Sequence, residues 1–258
     1  MTQTATQTDS VREIEHKVVD IGWSLPEGQL PVVVNYEYRI NHCVQAALVV
    51  VDEINAFCVP GHGPLAPRRE DSAIDRMIDL TDILAKGFYN HCWPIIVPKD
   101  CHDGIEFPWP FHAQRGTADA ELVPRLKWLD QVADLIIEKD CVNTWIGAEV
   151  PWLAGVCDHC GASFSTATTN SLRKFLIKRN IKTLVVVGIC TDICVMQLVL
   201  SILSARNNGL LPDFRDVVVV PKACATYEAP GHSRKLMHHI GLYLMQQSGA
   251  ILADNIVF

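Results

Sequence analysis

The stretch Thr183-Leu-Val-Val-Val-Gly-Ile-Cys-Thr-Asp-Ile-Cys194 decides the fold. Its first half, Thr183–Val187, is β-branched and apolar with no polar alternation. That pattern suits a strand buried on both faces, as in a parallel sheet. Its second half turns at Gly188 and runs through Cys190, Thr191, Asp192 and Cys194 into an apolar segment, Val195–Ala205, that reads as a helix. Five further runs share the first half's character: Ala46–Val51, Pro94–Val97, Leu135–Ile137, Asp216–Val220 and Ala250–Ala253. Helical patterns lie between them. Ile74, Met77, Ile78, Ile83 and Leu84 recur at helical spacing, with Gly87 as a C-terminal cap. Leu172, Phe175 and Leu176 mark a second helix, and Leu236–Met245 another. Strands alternating with helices predict right-handed crossovers and an α/β three-layer sandwich.

Two regions differ. Val34, Tyr36, Tyr38 and Ile40 alternate with polar residues, which predicts a half-buried strand at a sheet edge or across a subunit interface. Residues 1–43 therefore read as an N-terminal extension and residues 44–258 as the main domain. Residues 147–169, rich in Gly, Ser, Thr and Ala, read as a long loop or lid.

Composition sets the outer limits. The chain has 258 residues, 49% hydrophobic, enough for one large core. A net charge of -7 without Lys/Arg runs argues against nucleic acid. The apolar runs are too short to span a bilayer, and the polar start does not resemble a signal peptide. The ten cysteines then read as reduced thiols of a cytoplasmic protein rather than a disulfide framework.

In open parallel sheets, ligands bind beyond the carboxyl ends of the strands. Here those ends carry Asp52, then Lys99-Asp100-Cys101-His102, then Glu138-Lys139, then Cys190 to Cys194. One edge thus collects a carboxylate, a carboxylate–imidazole pair, an ammonium and a thiol. Cys194 opens the predicted helix, where the helix dipole favours the thiolate, after the cap-type residues Thr191 and Asp192. A buried cysteine on an apolar helix is the plain alternative. The segment Asp100–His112 holds His102, His112, Asp100 and Glu106, a donor set for a divalent metal or simply a polar loop. Cys157 and Cys160 lack a second pair and read as loop thiols, and His238-His239 as helix surface or a packing contact.

These pieces carry a family resemblance. Ala47–Cys58, Asp100-Cys-His102, Pro110–Thr117, Glu138–Cys141, Val187–Val195, Leu203–Asn207, Ala223–Thr226 and Met237–Tyr243 resemble the isochorismatase-like cysteine hydrolases, most closely the plant-type nicotinamidases. The resemblance runs from about residue 44 to the C-terminus, sparing residues 147–169. It implies a six-stranded parallel sheet and a catalytic triad of Asp52, Lys139 and Cys194. It also implies a cis peptide before Cys190 and an oxyanion hole from the N–H groups of Cys190 and Cys194. Asp100, His102 and His112 match metal ligands, with zinc, iron or manganese as the ion, and Glu106 matches an extra ligand of some relatives. Phe57, Trp109 and Ile189 match substrate-binding positions, the first two flanking a flat ring. The implied activity is hydrolysis of nicotinamide, or pyrazinamide, by a homo-oligomer serving NAD salvage. Another amide, carbamoyl or isochorismatase-type hydrolysis in the same superfamily is the alternative, and a non-catalytic scaffold a third. Ala113 and Ile193 depart from the family, which often has Cys and Tyr there.

Overall fold

The six apolar runs become the six strands of one sheet; the expected burial on both faces holds for the inner strands but not for the edge strand Leu135–Lys139, where Ile136 is exposed. The structure, a computed structural model, describes residues 30–41, 45–104, 108–156 and 163–258. In chain order the strands are β1 (Tyr38–Arg39), β2 (Ala46–Val51), β3 (Ile95–Asp100), β4 (Leu135–Lys139), β5 (Glu149–Val156), β6 (Ser163–Asn170), β7 (Thr183–Ile189), β8 (Asp216–Ala225), β9 (Ile251–Leu252) and β10 (Ile256–Val257). The helices are α1 (Asn55–Cys58), α2 (Ser72–Asn90), α3 (Leu129–Val132), α4 (Thr144–Gly147), α5 (Ser171–Lys178), α6 (Met196–Asn207) and α7 (Arg234–Gln247). Residues 32–258 form one compact unit. Among the described residues no helix is long and apolar enough to cross a membrane.

The main sheet has the order β4-β3-β2-β7-β8-β9, and every pairing in it is parallel. The chain builds outward from β2 in one direction, then restarts at β7 and builds outward in the other. The order therefore reverses between β2 and β7, and a crevice opens beyond their carboxyl ends.

Strand β2 shows why its sequence lacks alternation. All six of its residues are buried, with the two faces covered by different helices. Ala46, Leu48 and Val50 join Ile74, Met77 and Phe88 of α2 in one apolar layer. Ala47, Val49 and Val51 join Leu198, Val199 and Ile202 of α6 in the other. Each fully buried Val or Leu contributes about 2 kcal/mol of stabilisation. Both layers thus press on the strand that delivers Asp52.

Three readings of the sequence differ from the structure. Gly87 does not cap α2, which continues to Asn90. A Cβ on Gly87 would lie 2.3 Å from the Phe258 ring, so the glycine makes room for that ring inside a continuous helix. Residues 147–169 contain the antiparallel pair β5–β6, with residues 157–162 outside the described ones. The alternating segment Val34–Ile40 is a strand only at Tyr38–Arg39. It pairs with β10 of the same chain rather than extending the six-stranded sheet. Val34 and Tyr36 are exposed, Ile40 is buried in the core, and Tyr38 packs against it partly buried.

Candidate active site

Three strand ends bring three charges together. At the end of β2 the chain turns through Asp52, whose φ of 53° is a left-handed conformation that Asp tolerates better than most residues. The turn is closed by Ile54 N–H donating to the Asp52 carbonyl at 2.7 Å. In β3 and β4 the parallel register pairs Asp100 with Lys139. Lys139 Nζ lies 2.9 Å from Asp52 Oδ2 and 2.8 Å from Asp100 Oδ1, and all three side chains are buried. Burial alone would push the ammonium to lose its proton. Asp52, Cys194 and Asp100 outweigh it and hold Lys139 well above the ordinary lysine value. Burial pushes Asp52 up to about 6, against Lys139, which draws it down. At neutral pH Asp52 is a carboxylate with an appreciable proton affinity.

Cys194 reaches the same place from β7. The expectation that it opens an α-helix is modified. Thr191–Val195 is a π-helical turn, and α6 begins only at Met196. Its wide ring closes through Val195 N–H donating to the Cys190 carbonyl at 3.1 Å. Thr191 and Asp192 do not cap it; their side chains bond to His238 and His232. Cys194 as a residue is 7% exposed. Burial first, then Asp52 and Asp100, raise it well above the ordinary cysteine value, and Lys139 opposes them. The helix-dipole argument for a resting thiolate is therefore outweighed by desolvation. A thiol held this way needs a base beside it, and Asp52 stands there.

The second half of the site grows from the other side of Asp100. Asp100 Oδ2 lies 2.9 Å from His102 Nε2 and 2.9 Å from His112 Nε2. His102 is fixed to the strand-like segment that follows it, through its N–H to the Ala113 carbonyl at 3.0 Å. The three ligand atoms lie within 4.8 Å of one another, and all three residues are buried. His112 Nδ1 lies 2.7 Å from the Pro110 carbonyl, so Nδ1–H donates there and Nε2 turns its lone pair to the cluster. Despite burial, the Lys139 ammonium first, and then the hydrogen bond to His102, hold Asp100 well below the usual carboxylate range. An ionised carboxylate and two imidazoles oriented through Nε2 fit a divalent metal ion.

Around these groups, the Phe57 ring lies 5.6 Å from the His112 ring. Trp109 is half-buried in the loop before His112, and Ile189 is buried in the α2-side core. The Ile189–Cys190 peptide is cis. Glu106, Cys157 and Cys160 lie outside the described residues. The seven cysteines among the described residues are free thiols. Glu53, which the strand-end reading passed over, is fully buried beside Asp52. It accepts a hydrogen bond from Thr81 Oγ1 at 2.6 Å.

The isochorismatase domain matches residues 46–254. The chain belongs to this family. It is 36% identical to nicotinamidase 1 of Arabidopsis thaliana over 244 residues, 89% of this chain and 94% of that protein. It is 30% identical to the nicotinamidase of Acinetobacter baylyi over 194 residues, covering 67% and 81% of the two chains. The fold is that of nicotinamidase PncA from Bacillus subtilis, with a TM-score of 0.59 and 22% identity over 81% of this chain and 99% of that one. In this chain Asp52 and Cys194 stand at the switch point of the sheet, Lys139 reaches Asp52, and the Asp100–His102–His112 cluster stands beside them.

Proposed function

We propose that the chain is a nicotinamidase, releasing ammonia and nicotinate from nicotinamide through a thioester on Cys194. The observation that carries this reading is the double ion pair of Lys139. One ammonium joins Asp52, at the thiol, to Asp100, in the histidine cluster, so a ring and its carboxamide meet one continuous charge network. The 36% identity to an Arabidopsis nicotinamidase supports the same substrate.

Asp52 takes the thiol proton as Cys194 Sγ adds to the carboxamide carbon. Lys139 stays charged and holds Asp52 in place. The Cys190 and Cys194 N–H groups, on one turn, donate to the oxyanion. Asp52 returns the proton to nitrogen, the C–N bond breaks and ammonia leaves. Asp52 then deprotonates water, whose oxygen adds to the thioester carbon. The C–S bond breaks, and the acid departs with the thiol restored. Phe57 and Trp109 flank the ring. Asp100, His102 and His112 would hold a divalent ion, zinc by preference, which when bound would supply Lewis acidity toward the ring nitrogen. The product would feed NAD salvage in the cytoplasm.

Ammonia release is the test. Nicotinamide and pyrazinamide are expected to be hydrolysed and benzamide, which lacks the ring nitrogen, to be poor. Cys194→Ala is expected to be inactive while folded. Equal turnover of benzamide and nicotinamide would remove the substrate assignment, and turnover by Cys194→Ala would remove the nucleophile.

A further inference from the structure

Helix α7 lies against the turn that carries Cys194. At Gly241 the contact is backbone to backbone. A Cβ there would sit 2.9 Å from Asp192 Cα and 3.0 Å from the Thr191 carbonyl oxygen. One turn earlier on the same face, His238 Nδ1 lies 2.8 Å from Thr191 Oγ1, and Thr191 is fully buried. From the loop before α7, His232 places Nε2 2.8 Å from Asp192 Oδ2. Its other nitrogen faces the Tyr227 carbonyl at 3.1 Å, and its ring stacks on Tyr227 at 3.8 Å. Three separate contacts therefore fall on Thr191 and Asp192, two of the three residues between Cys190 and the nucleophile.

The turn needs such support. A π turn carries one more residue per closed ring than an α-helix and is seldom stable by itself. Relaxation to α geometry would rotate Cys194 by about 100° around the axis and carry its thiol away from Asp52. Burial holds His238 below the ordinary histidine value. Asp192 acts the other way, while Arg76 of α2 and the neighbouring His239 add to the lowering. A neutral ring with Nδ1 free accepts a hydrogen bond from the Thr191 hydroxyl, and Thr191 is fully buried, so losing the ring leaves that hydroxyl without its partner.

We infer that His238 is a positioning residue for the nucleophile. Through its hydrogen bond to Thr191 it holds the π turn in the form that aims Cys194 at Asp52, with Gly241 and the His232–Asp192 pair fixing the rest. This inference rests on the reading of Cys194 as nucleophile. His238 touches no reacting atom in this role; it acts through Thr191.

Steady-state kinetics with nicotinamide on the full-length, metal-replete protein test it. His238→Ala is expected to lower kcat about tenfold while KM stays within about twofold, because ring binding lies at the other end of the site. His238→Asn, whose amide lies near the lost Nδ1, is expected to restore most of that kcat. Thr191→Val removes the same bond from the other side and should match His238→Ala, with the double variant falling no further. The exposed α7 variant Lys235→Ala should leave kcat unchanged. An unchanged kcat in His238→Ala, or full additivity with Thr191→Val, overturns the inference. Should His238→Ala fail to fold, Thr191→Val alone decides, and a wild-type kcat there overturns it. Cys194→Ala separates the two levels. If that variant still turns over, the nucleophile reading has failed; if it is inactive while His238→Ala is normal, only the positioning role has.

Discussion

Asp52 and Glu53 are adjacent carboxylates that are both fully buried, yet their environments divide them. Asp52 faces the Lys139 ammonium and keeps its charge at neutral pH. Among the described residues no cation stands beside Glu53; burial pushes it up to about 8, and the Thr81 hydroxyl only partly offsets that. Among the same residues its Oε2 has no hydrogen-bond partner. The consequence for stability has a definite sign. The folded chain keeps the Glu53 proton to about pH 8, whereas the unfolded chain releases it near the ordinary glutamate value of 4.5. The stability this proton contributes is full below the unfolded value and is lost as pH rises through that window, by several kcal/mol in all. Glu53→Gln keeps an acceptor for Thr81 and removes the titration. Thermal melts from pH 5 to 9 are therefore expected to show the wild type losing Tm relative to the variant up to about pH 8, then running parallel. A constant difference across that range would mean that Glu53 is not held protonated. The sequence made Asp52, Asp100 and Lys139 legible because strand ends in a parallel sheet share one edge. It could not make Glu53 legible, since a carboxylate beside a turn looks the same whether it faces water or the core.

At the scale of elements, the strands were readable and the turn at the nucleophile was not. Unbroken apolar runs leave a buried parallel strand little alternative, and β2 has the bounds its pattern suggests. A π turn uses the same residue types as an α-helix, so Thr191 to Val195 looked like a helix start. The β5–β6 pair was hidden in a similar way, because small polar residues serve loops and strands alike. The role of α7 did leave a trace. His238, Gly241, Leu242 and Met245 recur at helical spacing, and the last three are buried, which puts His238 on the packed face. The backbone contact at Gly241 makes this packing testable. A methyl there would meet Asp192 Cα at 2.9 Å, where neither backbone yields cheaply. Gly241→Ala is expected to lower Tm by several degrees, as overpacking costs about 1–3 kcal/mol, and to lower kcat because the displaced turn carries Cys194. Circular dichroism melts and nicotinamide turnover measure the two effects. A loss of Tm with wild-type kcat would mean that α7 supports the fold without setting the nucleophile's position.

At the scale of the whole molecule, the reversal of strand order between β2 and β7 creates the crevice, and the two apolar layers hold its walls. The sequence reading placed the start of the main domain at residue 44, where the family likeness begins. The compact unit begins earlier, at Val32. Residues 33–40 are laced to the C-terminal end of the chain. Asn35 N–H donates to the Leu252 carbonyl and Asp254 N–H to the Asn35 carbonyl, both at 2.9 Å. Tyr38 N–H reaches the Asn255 carbonyl at 2.8 Å, and Ile40 N–H the Val257 carbonyl at 2.9 Å. Tyr38 O–H donates to Asp216 Oδ2 at 2.8 Å, tying the segment to the first residue of β8. Ile40 is 2% exposed and belongs to the same apolar layer as α2 and β2. The sequence could not show this, because pairing between residues more than two hundred positions apart leaves no local pattern. Two shortened chains separate the boundaries. One starting at residue 44 loses the backbone partners of Leu252, Asn255 and Val257 and opens a cavity where Ile40 sat. Filling that cavity with one isoleucine is worth about 2 kcal/mol, and the lost backbone bonds add to the deficit. A chain starting at residue 32 keeps all of these contacts. The chain from residue 44 is therefore expected to melt several degrees below the chain from residue 32, with the Phe258 end exchanging its amide hydrogens faster. Equal melting temperatures would return the boundary to residue 44 and reduce β1 to a surface attachment.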